Sequence, residues 1–183
     1  MNIVKMMEDM YLQFTTDEIL LRFLHYFPEN QNDKPLDKDK PNILELPLEE
    51  KFKIIEEVIY PRDKKFELDL VSNFARINYY LGERKPYSNY SNVSRRLSNN
   101  PYISRQEVII DVHVNIDMDK VDMRLSRIVE RVNFLVNNKR FSQFIGLKFD
   151  YGYTIYKTPD DFIGYRMVYY TLSSQSSGCD WDW

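Results

Sequence analysis

The sequence predicts an α+β fold in a single domain, with an antiparallel or mixed β-sheet packed by one long amphipathic helix. Residues Gln106–Ile116 alternate apolar and polar side chains with a period of two, as in a half-buried strand. The next segment, from about Asp119 to Asn138, repeats apolar side chains at helical spacing. Two more strand patterns follow, so the C-terminal half has the order β-α-β-β. We expect an additional helix near the N terminus.

The N-terminal half contains weaker signals. Thr15 and Glu18 have the spacing of a capping box, which predicts that a helix begins there, and Pro28 is expected to end it. Residues 48–60 have apolar side chains at helical spacing, but their β-branched residues also allow a strand, so both assignments stay open. Residues 74–80 are expected to enter the sheet before Gly82 turns the chain away.

The long helix is delimited by charge as well as by pattern. Asp119 is expected to be its N-cap, and Lys139 and Arg140 complement the negative C-terminal end of the helix dipole. Beyond it, residues 147–157 form the next predicted strand, whose apolar face contains Leu147, Phe149, Tyr151, Tyr153 and Ile155. A turn at residues 158–161 and a strand at 162–172 complete the domain.

Residues 83–105 have neither a clean helical nor a strand period and are predicted to form a long loop within a domain spanning residues 1–172. The loop mixes cationic and aromatic residues, which suits contacts between subunits, a solvated loop or nucleic acid. Residues 173–183 are predicted to be a flexible tail, whose tryptophans either stay exposed or anchor on a neighbour. The candidate contact residues are Arg84, Tyr87, Tyr90, Arg95, Arg96, Arg105, Trp181 and Trp183.

The sequence contains no recognised motif for catalysis, for a cofactor or for a metal, so we expect no enzyme, no cofactor and no metal. Asp117 and Asp119 resemble the start of a calcium loop, but Asp122 and Ile128 stand where that loop needs Gly and Glu. His113 lies near Asp111 on one strand, yet no nucleophile accompanies the pair. The sequence has no Walker loop, GxSxG elbow or glycine-rich dinucleotide turn.

Composition separates the remaining classes only in part. The chain has 183 residues with a net charge of −3, which gives no overall field that would gather nucleic acid. Fourteen tyrosines and eleven phenylalanines suit a subunit embedded in an assembly, and equally an AT-biased genome. No apolar run approaches the length of a membrane-spanning helix, so we expect no membrane partner.

Several segments together resemble the tail terminator and tail completion proteins of tailed bacteriophages, particularly those of phages that infect low-GC Gram-positive hosts. In the C-terminal half these segments are EVIIDVHVNIDMDKVDMRLSRIVERVNFLVNNKRF, IGLKFDYG and DFIGYRMVYYTL. In the N-terminal half they are EILLRFLHYFPEN, DKPL and ARINYYLGERK. Residues 83–105 and the last eleven residues contribute little to this resemblance.

The resemblance implies a virion structural protein at the head–tail junction, assembled in the host cytoplasm. Copies would close into a homo-oligomeric ring, commonly a hexamer, that caps the tail tube, contacts the connector or stopper proteins and lets DNA pass without sequence-specific binding. A head–tail connector or stopper is the alternative within the same class. Outside that class, the alternative is a nucleic-acid-binding protein that uses the Arg/Tyr loop.

Overall fold

A computed structural model describes residues 3–30, 32–61, 75–89, 98–141 and 145–174. The described elements are α1 (Ile3–Thr15), α2 (Glu18–His25), a 3-10 turn (Ile43–Glu45), α3 (Leu48–Val58), β1 (Ile59–Tyr60), β2 (Arg76–Asn89), β3 (Ser98–Asn115), α4 (Ile116–Asp122), α5 (Arg124–Val136), β4 (Ile145–Ile155) and β5 (Phe162–Ser174). The α+β class and the β-α-β-β order of the C-terminal half are confirmed.

The sheet is mixed and has the strand order β1-β2-β3-β5-β4. The short strand β1 runs parallel to β2, and the other neighbouring strands are antiparallel. Alternate residues of the central strands, such as Val108, Ile110 and Tyr169, are fully buried in one core with residues of the helices. Because side chains alternate across a strand, the helices cover one face of the sheet, and the remaining residues of β3 and β5 point to the other face.

The N-terminal helices differ from the capping-box prediction. Thr15 is the last residue of α1, and its hydroxyl donates back to the carbonyl of Tyr11 at 2.9 Å. Asp17 is instead the N-cap of α2, because its carboxylate accepts a hydrogen bond from the backbone N–H of Leu20 at 2.8 Å. Asp17 satisfies the exposed donor at the start of α2, so Thr15 is not needed there. The segment 48–60 is a helix followed by two strand residues, which resolves that choice.

The predicted single helix from Asp119 to Asn138 is two helices. Met123 adopts a left-handed conformation, with φ of 55°, and separates α4 from α5. The N-cap of α4 is Asn115, not Asp119. Asp119 instead accepts a hydrogen bond from the backbone N–H of Leu125 at 2.8 Å and so serves the start of the second helix. The apolar period runs across the break because both helices contribute buried residues to the same core, Met118 from α4 and Ile128 from α5.

The predicted long loop at residues 83–105 is wrong where the structure describes it. Strands β2 and β3 extend into this segment and pair Lys85 with Arg105 and Ser88 with Asn99, so it is largely an antiparallel ribbon. Gly82 lies inside β2 at a shift of register and does not end the strand. The predicted tail begins too early as well, since β5 continues to Ser174. These residues pair with distant parts of the chain, which local periodicity does not record.

Strand β4 also differs from the prediction that its apolar residues share one face. A register shift lies between Phe149 and Tyr151, which pair with Tyr169 and Val168 respectively. Phe149 therefore points to the helical side with Tyr169, whereas Tyr151 and Tyr153 point to the opposite face. The bulge moves two aromatic rings out of the predicted core.

Candidate interaction face

The face of the sheet that points away from the helical core carries most of the unusual side chains, and we call it the distal face. One row across the strands consists of Asn78, Asp111, Arg166 and Tyr153, and the next consists of Tyr80, Ile109, Val168 and Tyr151. Val168 is only 1% exposed although it points away from the core. The long side chains around it therefore cover the distal face.

Asp111 is the centre of this polar layer. Its two carboxylate oxygens accept hydrogen bonds from the Nε and Nη2 atoms of Arg166 at 2.6 and 2.7 Å, a bidentate pair. The hydroxyl of Tyr80 donates to Asp111 Oδ2 at 3.0 Å, and Arg166 Nη1 donates to the hydroxyl of Tyr153 at 3.3 Å. The hydrogen bond to Asp111 raises the pKa of Arg166 above its ordinary value. Four strands are thereby joined by one side-chain network.

His113 lies next to this network and is 5% exposed. Burial lowers its pKa to about 4, against the opposing effect of the charge on Asp111, so the imidazole is neutral at pH 7. The nearby carboxylate of Asp111 accepts from Arg166 through both oxygens and from Tyr80 through Oδ2. The geometry assigns Asp111 to holding the sheet face together.

A second cluster surrounds Arg105, one of the predicted contact residues. Its guanidinium pairs with the carboxylate of Asp150 and lies 3.7 Å from that of Glu107. It also stacks 4.4 Å from the ring centroid of Tyr170, which is a favourable cation–π distance. Arg105 is therefore a charge-balanced part of the distal face.

The other predicted contact residues are not gathered around Arg105. Arg84 is exposed and donates to the hydroxyl of Ser104 at 3.1 Å. It pairs with Gln106 in the ladder, so it points to the face opposite Arg105. Tyr87 belongs to β2, but its side chain lies outside the described part of the chain. Tyr90, Arg95, Arg96, Trp181 and Trp183 lie outside the described residues.

Sequence reasoning missed the aromatic residues of this face. The rings of Tyr151 and Tyr153 are stacked with centroids 6.1 Å apart and 13° between their planes, and they are 49% and 42% exposed. Arg166 and Tyr170 also lie on the distal face. Their alternation with Met167 and Tyr169 along β5 is the sequence pattern from which this face could have been predicted. That alternation shows that two sets of residues face opposite ways, but not which set the helices cover.

The described residues 3–30, 32–61, 75–89, 98–141 and 145–174 contain no group of three potential His, Cys, Asp or Glu metal ligands. Within the same residues, no helix is long and apolar enough to cross a membrane. The clusters of the distal face are built from ion pairs and aromatic rings, which are groups that bind other macromolecules.

Comparison with known proteins identifies a family. A family model described as YomW matches residues 17–171, which include the described helices after α1 and almost the whole sheet. The name is that of a phage-derived family of Bacillus type, which indicates a phage-encoded protein. No curated protein matches the chain.

Proposed function

This chain belongs to the YomW family, and on that premise we propose that it is a virion structural protein at the head–tail junction of a tailed phage. It acts as a tail terminator or tail completion subunit, whose copies close into a ring, with six as the expected number. The ring caps the tail tube, contacts the connector or stopper proteins and leaves a channel through which DNA passes. The protein assembles in the host cytoplasm and remains in the neck of the particle.

The observation that carries this proposal is the charge-balanced, tyrosine-rich distal face. Tyrosine and arginine dominate the residues that contribute most to protein–protein binding, because they bury a large area and still donate hydrogen bonds. The ion pairs Arg166–Asp111 and Arg105–Asp150 hold these side chains in place before any partner arrives. A surface prepared in this way loses less side-chain entropy on binding.

No chemical step belongs to this function. The role requires contacts that survive in a particle, and the network of Asp111, Arg166 and Tyr80 supplies rigidity to the face that would make them. A head–tail connector or stopper uses the same kind of contacts and is the alternative within the class.

Nucleic-acid binding is a second candidate, favoured by the stacked rings of Tyr151 and Tyr153, which could receive bases. The carboxylates oppose it. Asp111 and Asp150 already neutralise Arg166 and Arg105, and Glu107 adds another negative charge close to Arg105. A phosphate backbone would have to displace these ion pairs.

Two measurements test the proposal. A reconstruction of the phage particle is expected to show this chain as a closed ring at the neck, whereas isolated monomers on the capsid exterior would reject it. A DNA-binding titration at two salt concentrations separates the second candidate, because neutralised phosphates make binding fall steeply with salt. Tight, salt-sensitive binding without a ring in the particle would favour the nucleic-acid function.

A further inference from the structure

Helices α3 and α5 lie over opposite edges of the sheet. Helix α3 packs on β1 and β2, whereas α5 packs on β3, β4 and β5, and α2 contacts both helices. Because β1 and β4 are the two outer strands of the sheet order, α3 and α5 cover different halves of the sheet. Each of these helices exposes a phenylalanine.

On α3, the exposed ring is that of Phe52, which is 51% exposed, and Leu48 beside it is 61% exposed. Glu49 and Glu56 lie three residues before and four residues after Phe52, so they flank the ring on the same helix face. We call the exposed set Leu48, Glu49, Phe52 and Glu56 the acidic patch.

On α5, the exposed ring is that of Phe134, which is 62% exposed. The guanidinium of Arg131 lies 5.0 Å from the centroid of this ring, and the amine of Lys139 lies 5.5 Å from it. Arg127 on the same helix and Arg140, four residues beyond the end of that helix, are also exposed. We call Arg127, Arg131, Phe134, Lys139 and Arg140 the basic patch.

We propose that the basic patch of one copy docks on the acidic patch of the next copy and that this contact builds the ring. The inference rests on the proposed function, since it names the interface of that ring. Both patches present an exposed phenylalanine framed by charge, and the charges have opposite sign. Charges of the reverse sign also lie close by. Lys53 is beside the acidic patch and Glu130 beside the basic one, and these two can pair with each other. Within the basic patch, Arg131 is paired with Asp17 at 2.5 Å.

The arrangement favours a head-to-tail contact over a two-fold one. A two-fold contact that either patch made with itself would place like charges opposite each other, which opposes association. A contact between two different patches repeats from copy to copy, and such heterologous contacts form rings when the rotation closes. The partner that fits the basic patch is therefore a second copy of this chain.

Charge reversal tests the contact. One variant carries Glu49→Lys and Glu56→Lys, and the other carries Arg127→Glu, Lys139→Glu and Arg140→Glu. Either variant alone is expected to weaken self-association by about 100-fold or more, because like charges then face each other. An equimolar mixture is expected to assemble again, because the reversed patches of the two variants complement one another. Native mass spectrometry of the full chain measures both results.

Two controls keep the result interpretable. The reversal Lys120→Glu changes an exposed charge outside both patches and is expected to leave assembly unchanged. Circular dichroism melting curves of both charge-reversal variants are expected to stay within a few degrees of the wild type, since the altered side chains are exposed. A small decrease is expected because Glu49 lies in the first turn of α3 and Lys139 and Arg140 follow the C-terminal end of α5, where the reversed charges oppose the helix dipole.

Disulfide trapping tests whether Phe52 of one copy lies close to Phe134 of the next. Cys179 is the only cysteine of the sequence and is first replaced by Ser. In this Cys179→Ser background, a Phe52→Cys chain mixed with a Phe134→Cys chain is expected to form the mixed dimer in preference to either homodimer. If the mixed dimer is not preferred, or if both charge-reversal variants assemble normally, the inference is overturned while the ring of the proposed function stands. If the wild type is monomeric both in solution and in the particle, the proposed function itself fails.

Discussion

Arg124 offers the sharpest test of how the helical layer is held together. It begins α5 and is fully buried although it is charged. Its Nη1 donates to the carbonyls of Phe23 and Tyr26 at 2.6 and 2.7 Å, at the C-terminal end of α2. Its Nε and Nη2 contact the carboxylate of Asp122 at 2.9 and 2.8 Å. One side chain thus ties two helices to the break between α4 and α5.

We predict that Arg124→Met lowers the free energy of unfolding by about 3–5 kcal/mol, the usual cost of breaking a buried ion pair. The methionine fills similar space, but the carboxylate of Asp122 loses its counter-ion and two carbonyls of α2 lose their donor. For a chain of this size the melting temperature falls by about 2–4 °C for each kcal/mol, so a decrease of about 6–20 °C is expected. Urea titration followed by circular dichroism measures the free energy.

Arg127→Met is the matched control on the same helix, because Arg127 is exposed and its Nε donates to the carbonyl of Asp122 at 2.8 Å. It is expected to change the free energy of unfolding by no more than about 0.5 kcal/mol. The double variant Asp122→Asn with Arg124→Met is expected to recover part of the loss, since no buried charge is then left unpaired. A loss below about 1 kcal/mol for Arg124→Met would refute the reasoning.

Two further predictions concern the core and the distal face. Ile128→Asp places an unpaired charge at a fully buried position of α5 and is expected to lower the free energy of unfolding by several kcal/mol. Phe134→Asp, on the exposed side of the same helix, is expected to be tolerated. Equal melting temperatures of the two variants would contradict this packing. The pKa of His113 is about 4 in the folded protein, whereas the ordinary pKa of a histidine is 6.5. Between these two pH values the unfolded chain binds more protons than the folded one, so the stability falls as the pH drops from about 6.5 to 4. By linkage, the total loss in the free energy of unfolding is about 3 kcal/mol. His113→Gln is expected to flatten this part of the profile of stability against pH. Identical profiles for the variant and the wild type would exclude the histidine as the cause.

The sequence alone determined the parts of the fold that depend on neighbours along the chain. The alternation of Val108, Ile110 and Val112 predicts a strand, and the helical recurrence of Ile128 and Val132 predicts a helix, because both periods arise from local backbone geometry. The β-α-β-β order and the α+β class followed from these two periods.

The tertiary structure decided everything that depends on pairing between distant residues. Only the ladder between β2 and β3 shows that residues 83–89 and 98–105 form a ribbon, and only the bulge before Tyr151 moves two rings to the distal face. Met123 separates two helices although the apolar period continues across it. Arginine is usually exposed, but Arg124 is buried because two carbonyls and a carboxylate contact its guanidinium. The composition shows that tyrosines and arginines are present. A local pattern carries no information about which strands become neighbours, and only this pairing of strands places the tyrosines and arginines on one surface.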